Sequence, residues 1–291
     1  MGYGKNNMNL SSKIEKLLIK ASTSYPQDRI NAFKKALGEE TNENAIWALE
    51  LMLKNAEITN KNKSPLCDDT GIPHVFIELG KNRNISFESF EDIKKGIANG
   101  FKNLPGRPMA VKGNDIERIE QSNGLYDESE KVFSPSFLID SINDEEFSDN
   151  IKIHLLLLGG GPEIRAKTYR VFHKKNYRNV LNVAIERCKE NLNLLGCTPS
   201  IPAVGIGRTQ FEANSLLLKS LVYGNLDNQS EFENYITDEL NKTNIGPMGL
   251  GGKTTAIGSF VKIGPQRASG VRILASRPCC FVEPRVGNIK I

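Results

Sequence analysis

The chain has 291 residues, 39% hydrophobic and 25% charged, and its 38 Lys and Arg against 34 Asp and Glu leave a net charge of +4. That composition excludes a disordered, collagenous or disulfide-built chain and supplies enough apolar material for a sizeable core. The mild positive balance falls short of the basic stripe of a nucleic-acid binder and suits a small anionic ligand.

No apolar run approaches the roughly 18 residues of a membrane-spanning helix. The start, MGYGKNNMNLSSK, lacks an apolar stretch ahead of a small-residue cleavage site, so it is not a secretory signal and the expected setting is cytoplasmic. Five cysteines, an odd number with no C-x-x-C pair, exclude a disulfide framework, a zinc ribbon and a thioredoxin motif.

In chain order, residues 10–20 and 28–58 read as amphipathic helices. Ile30, Phe33 and Leu37, then Ile46, Leu49 and Leu53, recur at helical spacing. Gly38 breaks the second segment, and Thr41 or Asn42 caps its continuation. KNKSPLCDDTG is a loop, IPHVFIELG a strand, and 87–103 a helix. Residues 104–134 show little periodicity. IKIHLLLL, residues 151–158, is a buried strand running into three glycines. A helix follows over 177–195, then a loop and short strand in GCTPSIPAVGIGRT, and helices over 211–223 and 230–241. A Gly-rich loop precedes a strand in NIGPMGLGGKTTAIGSFVKI, and 271–275 is a strand entering RPCC. Length alone allows about two domains. With no repeat, linker or composition break, the expectation is one α/β domain over 1–291, a mixed sheet flanked by helices with functional loops at strand ends.

GLGGKTT invites comparison with a phosphate-binding P-loop. The first glycine of that motif would fall at Pro247, and a strand follows where a helix is required, so a nucleotide site is disfavoured. Gly159, Gly160 and Gly161 permit close backbone approach to a ligand, and Arg165 and Lys167 offer charge for a carboxylate or phosphate; a plain turn is the blander reading. Cys67, Cys197 and Cys279 each sit in a Pro- or Gly-marked loop. Buried packing is the ordinary role of a free cysteine and is the expectation for Cys188, on a helix. Three loop thiols instead suit a soft iron–sulfur centre, with one iron left open. Asp68 and Asp69 follow Cys67 directly, either as a surface turn or as acid–base groups beside a metal centre. His154 alternates within a strand and reads as a core histidine.

Four segments in order resemble class I, iron–sulfur fumarases and the α subunit of L-tartrate dehydratase, over about residues 10–285. PLCDDTG resembles P-x-C-Q-D-T-G, LLLLGGGPEIRAKTY the G-G-G-S loop, GCTPSIPAVGIGRT the C-P-P loop with its strand, and IGPMGLGGKTT the I-G-x-Q-G-L-G-G segment. The resemblance implies a 4Fe–4S cluster held by Cys67, Cys197 and Cys279, within a cluster and substrate region spanning about 64–285 behind a helical region of about 10–58. The uncovered iron would be the Lewis acid in dehydrating a small 2-hydroxy dicarboxylate of malate or tartrate type. It implies acid chemistry for Asp69, and substrate contacts for Asp68, Gly159, Gly160, Gly161 and Lys167. Single-chain fumarases continue into a second domain, so this chain is expected to be an α subunit. A separate β subunit would then supply further substrate-binding groups and the group that abstracts the C–H proton, giving an α–β hetero-oligomer active only as a pair.

The sequence departs from that pattern at several points. Asp68 replaces glutamine, Thr198 stands in the Cys-Pro-Pro loop, and Met248 replaces the glutamine before G-L-G-G. No Arg/Asn-Thr-Gly segment is recognisable in 105–130, where Arg107 and Lys112 are loose candidates. The arginine expected soon after the third cysteine is displaced to Arg285, and Cys280 competes with Cys279 as ligand. These departures leave a non-catalytic subunit of the same fold as the alternative.

Overall fold

The computed structural model describes residues 9–132 and 134–291; the first eight residues, read above for a targeting signal, lie outside them. The chain forms two compact units. One holds the described residues through Ser24, Ile58–Leu157 and Arg285–Ile291; the other holds Tyr25–Glu57 and Leu158–Pro284.

The first unit has a four-stranded sheet in the order β2-β1-β3-β8. Its strands are β1 (Ile72–Gly80), β2 (Ser136–Ile142), β3 (Ile151–Leu158) and β8 (Arg285–Lys290). β1 pairs parallel with β2 and β3 antiparallel with β8, so the sheet is mixed. Helices α1 (Leu10–Thr23) and α4 (Phe87–Asn103) cover it. Ile14, Leu18, Ile93, Ile97 and Phe101 from the helices pack with Val75, Ile77, Ile153 and Leu155 from β1 and β3. Asn9 and Ser86 cap the two helices through side-chain oxygens that accept the Ser12 and Ser89 N–H groups. His154 is a core histidine, buried in β3 with its Nε2 2.7 Å from the Glu78 carboxylate. The aperiodic stretch after α4 contains α5 (Asp115–Glu120), a short helix with no buried residue and a capping box between Asn114 and Glu117.

The second unit carries a sheet in the order β4-β7-β5-β6, from β4 (Lys167–Phe172), β5 (Ala203–Gly207), β6 (Phe260–Ile263) and β7 (Val271–Arg277). β5 runs parallel to β6 and antiparallel to β7, and β7 antiparallel to β4. The α/β class with mixed sheets and flanking helices thus holds, with the strands divided between two sheets where one was expected. β5 alternates. Val204 and Ile206 face a core built with α7 (Tyr177–Leu192) and α9 (Glu231–Asn241), where Cys188 is buried among Ala184, Ile185, Ile236 and Leu240. Gly205 faces α8 (Gln210–Tyr223), and a Cβ there would lie 2.0 Å from the Ala213 carbonyl oxygen, so only glycine lets the helix sit on the strand. Helices α2 (Gln27–Glu39) and α3 (Glu43–Asn62) contribute Phe33, Ala36, Leu49 and Met52 to a further apolar cluster. Asn42 caps α3, its side-chain oxygen accepting the Asn44 and Ala45 N–H groups. Among the described residues, no helix is long and apolar enough to cross a membrane.

Candidate functional site

The second unit gathers three of the four motif segments, together with the Cys279 loop, at one end of its sheet. The Cys197 loop enters β5, and the Cys279 loop leaves β7, the strand paired with it. The two loops are joined by backbone bonds: Phe281 N–H donates to Cys197 O at 3.0 Å, and Ile201 N–H to Cys279 O at 3.2 Å. The Ser200 hydroxyl adds a 2.6 Å bond to Cys279 O. The glycine-rich loop docks on the same place. Met248 N–H donates to Thr198 O at 2.9 Å, and the Thr198 hydroxyl donates to Gly246 O at 2.5 Å. Thr198, where the family motif has proline, is therefore a latch, and Met248 takes a left-handed conformation (φ 54°) with its side chain partly exposed.

The GGKTT stretch is not open to a phosphate. The Glu40 carboxylate accepts the N–H groups of Thr41, Asn42, Lys253 and Thr254, filling the concavity with the chain's own anion. Burial raises the Glu40 pKa, but these donors outweigh it and hold the carboxyl below the usual range.

The triple-glycine segment meets the Cys279 loop through a buried arginine and its two carboxylate partners, Glu283 buried and Glu163 exposed. Arg277 is 1% exposed. Its Nε donates to Glu163 at 3.0 Å, Nη1 to Glu283 at 2.6 Å and to the Cys279 sulfur at 3.2 Å, and Nη2 to Gly159 O at 3.2 Å. Glu283 also accepts the Gly159 N–H, so that amide is committed within the fold. Gly160 and Gly161 are exposed at the start of α6 (Gly160–Glu163), and Lys167 is exposed at the start of β4. A second buried arginine, Arg29, donates to Val282 O and Pro284 O, both at 2.7 Å. Burial works against the Arg277 charge, yet Cys279, Glu283 and Glu163 hold it protonated. Burial drives the Cys279 thiol pKa far upward, with Arg277 opposing, and pushes Cys188 up to about 12. Cys197 is exposed, and Cys280 is half-buried against the α7 core.

The first unit carries the Cys67 loop. Gly71, in a left-handed conformation (φ 83°), closes the turn while its N–H donates to Asp69 Oδ1 at 3.1 Å. Asp68 Oδ1 accepts from Asp69 N–H at 2.9 Å and from the Cys67 thiol at 3.4 Å. Arg107 Nη1 lies 3.4 Å from the other Asp68 oxygen. The thiol, the amide and Arg107 hold the Asp68 carboxyl below its usual range, so the charge that replaces glutamine is partly offset. Burial, with Asp68 nearby, raises the Cys67 thiol, while the Asp69 amide and Arg285 oppose it. Arg285 is buried and donates to Asp69 O at 2.5 Å, so this arginine serves the Cys67 loop.

The donor chemistry, three free thiols on motif loops, suits soft iron rather than a hard cation. Among the described residues, no group of three or more His, Cys, Asp or Glu side chains is arranged to hold a metal ion. Cys197 and Cys279 share the second unit, and Cys67 belongs to the first.

Comparison with known proteins agrees with the motif reading. A family model described as "Fumarate hydratase (Fumerase)" matches residues 11–289. A Methanocaldococcus jannaschii protein named "Putative L(+)-tartrate dehydratase subunit alpha" is 29% identical, over 98% of this chain and 99% of its own. The Escherichia coli K12 "L(+)-tartrate dehydratase subunit alpha" is 22% identical over 89% of this chain and 83% of its own. A Geobacillus stearothermophilus "Putative fumarate hydratase class I" is 27% identical over 87% of this chain, which spans only 49% of that protein. With the family model covering nearly the whole length, the chain belongs to the fumarate hydratase family.

Proposed function

We propose that the chain is the α subunit of a hydro-lyase that removes water from a small 2-hydroxy dicarboxylate of malate or tartrate type. The observation that carries this reading is the joining of the Cys197, Cys279, triple-glycine and glycine-rich loops at one end of a single sheet, in a chain whose family match is nearly complete. Cys67, Cys197 and Cys279 would hold a 4Fe–4S cluster, an assignment supported by their donor chemistry and motif positions. When bound, such a cluster supplies a Lewis-acidic iron that polarises a C–O bond.

The chain's own residues do the rest. The Asp69 carboxyl gives its proton to the departing hydroxyl, which leaves as water. Its Oδ1 is fixed by the Gly71 amide and its backbone by Arg285, so the carboxyl is oriented before substrate arrives. Asp68, offset by Arg107, contacts substrate from the same loop. Gly160, Gly161 and Lys167 approach a substrate carboxylate, with Gly159 fixing the turn beneath them. The C–H proton is taken by a group on a separate β subunit, in keeping with the "subunit alpha" names of two relatives. A cytoplasmic setting keeps the five cysteines out of disulfides.

Anaerobic purification with iron and sulfide analysis, followed by hydratase assays on malate, fumarate and tartrate with a co-expressed β chain, tests this reading. Four iron and four sulfide per chain, with turnover only in the pair, is the expected outcome. A colourless chain that resists reconstitution overturns it, and turnover by the isolated loaded chain overturns the division of labour.

A further inference from the structure

The second unit contains a cavity of about 360 Å³ that none of the motif loops lines. It opens beside Ile206, Ile263 and Arg272, at the far ends of β5, β6 and β7 from the Cys197 and Cys279 loops. Four residue steps along β5 separate the two ends, roughly 13 Å. The volume falls in the range of small-ligand sites. Val180, Ala184, Val204, Ile206, Ile236 and Val261 make the interior apolar.

Beside the neutral polar groups of Asn176, Tyr177 and Gln266, the charges on this cavity are of one sign. Among the described residues no acidic side chain lines it, and Lys175 and Arg272 are both cations. Arg272 alternates with Leu274 on β7, and so stands on the face of the sheet that is otherwise given to the α7 and α9 core. Its Nη1 donates to Ser269 O at 2.9 Å and to Val271 O at 3.0 Å, which holds the guanidinium at the rim. Lys174 and Lys175 both take left-handed conformations (φ 49° and 55°), costly for side chains with a Cβ. His173 braces that turn. Its Nδ1 accepts the Lys175 N–H at 3.0 Å, which makes Nε2 the protonated nitrogen, donating to Ser269 O at 3.0 Å. His173 thus ties the Lys175 turn to the loop that also holds Arg272. Glu231 and Asp238 line the adjoining groove and not this cavity.

We propose that this cavity is a binding site for a small amphipathic anion, with an apolar body seated against Val204, Ile206 and Ile236 and a carboxylate held between Lys175 and Arg272. An apolar interior favours any hydrocarbon of suitable size, whereas the two cations, with no carboxylate opposing them, select the one with a negative head.

The test uses the full chain with 13C-labelled isoleucine and valine methyl groups, titrated with octanoate, 1-octanol and octylamine. Saturable shifts at Ile206 and Ile236, with octanoate binding at least tenfold tighter than the other two, are expected. Arg272→Gln and Lys175→Gln are each expected to weaken octanoate at least fivefold and leave 1-octanol unchanged. Lys175 is exposed, so its variant keeps the test decisive even where Arg272→Gln fails to fold. Equal affinity for octanoate and 1-octanol, indifference to Lys175→Gln, or shifts confined to other methyl groups would each overturn the proposal.

Discussion

Arg277 and Glu283 form a two-point ion pair, with Nη1 2.6 Å from Oε2 and Nη2 3.2 Å from Oε1, and neither side chain reaches solvent. The same guanidinium touches the Cys279 sulfur and the Gly159 carbonyl, so one buried charge fixes both the third-cysteine loop and the triple-glycine turn. Arg277→Met strands Glu283 as an uncompensated buried charge and is expected to cost about 3–5 kcal/mol. Adding Glu283→Gln removes that charge and is expected to restore part of the loss. Urea unfolding of the single and double variants measures both. A loss below about 1 kcal/mol for the single variant would mean that the pair does not anchor the loops.

Much of this architecture is legible in the sequence, and what is not has a common cause. IPHVFIELG, the 87–103 helix and IKIHLLLL are legible to within a residue of their bounds because each carries a strong period or a continuous apolar run. The strands with no clear signal in the sequence, β2, β4 and β8, are all at sheet edges. An edge strand is half solvated, and SFLIDSI, KTYRVF and RVGNIK accordingly mix charge and apolar residues with no clean run. The cysteine loops announced themselves by Pro and Gly punctuation. Arg29 did not, because its carbonyl partner Val282 lies 253 residues away and a lone arginine on an amphipathic helix looks solvated. Arg277 had a local clue in the adjoining cysteine motif, but its partners on the triple-glycine turn emerge only from the fold.

The cysteines divide by environment, and chemistry should report the division. In the native chain without iron, iodoacetamide at pH 8 is expected to modify exposed Cys197 first and half-buried Cys67 more slowly, leaving Cys188 and Cys279 intact; mass spectrometry reads the order. On the proposed function, Cys67→Ala, Cys197→Ala and Cys279→Ala each lose iron. Cys188→Ala retains it and loses only about 1 kcal/mol of stability for its methyl-sized cavity. Wild-type iron content in Cys279→Ala would transfer the ligand role to Cys280.

Glu40 makes stability depend on pH in a definite direction. Four backbone donors hold its folded-state pKa below the unfolded value, despite burial. A depressed carboxylate stabilises the fold fully above its unfolded pKa, near 4.3, and loses that contribution as pH falls through the folded value. Glu40→Gln is therefore expected to be less stable than wild type at pH 7, with the gap closing as the pH drops below about 4. Thermal melting of both proteins from pH 7 to pH 3 reads this directly. A gap that stays constant across the range would assign the Glu40 contribution to shape and not charge.

Two glycines separate close packing from backbone freedom. A Cβ on Gly205 would lie 2.0 Å from Ala213 O and 2.5 Å from Leu217 N, both backbone atoms of α8 that no rotamer change relieves. Gly205→Ala must push helix and strand apart and is expected to cost 1–3 kcal/mol or more, on the order of a severe core overpacking. Gly38, in α2, has nothing within 4 Å of its Cβ position. Gly38→Ala removes unfolded-state freedom without a clash and is expected to stabilise by about 0.5–1 kcal/mol. Chemical denaturation of both variants separates the effects, since the same added methyl moves the midpoint in opposite directions. A Gly205→Ala protein as stable as wild type would show that α8 does not rest on β5 at the distance described.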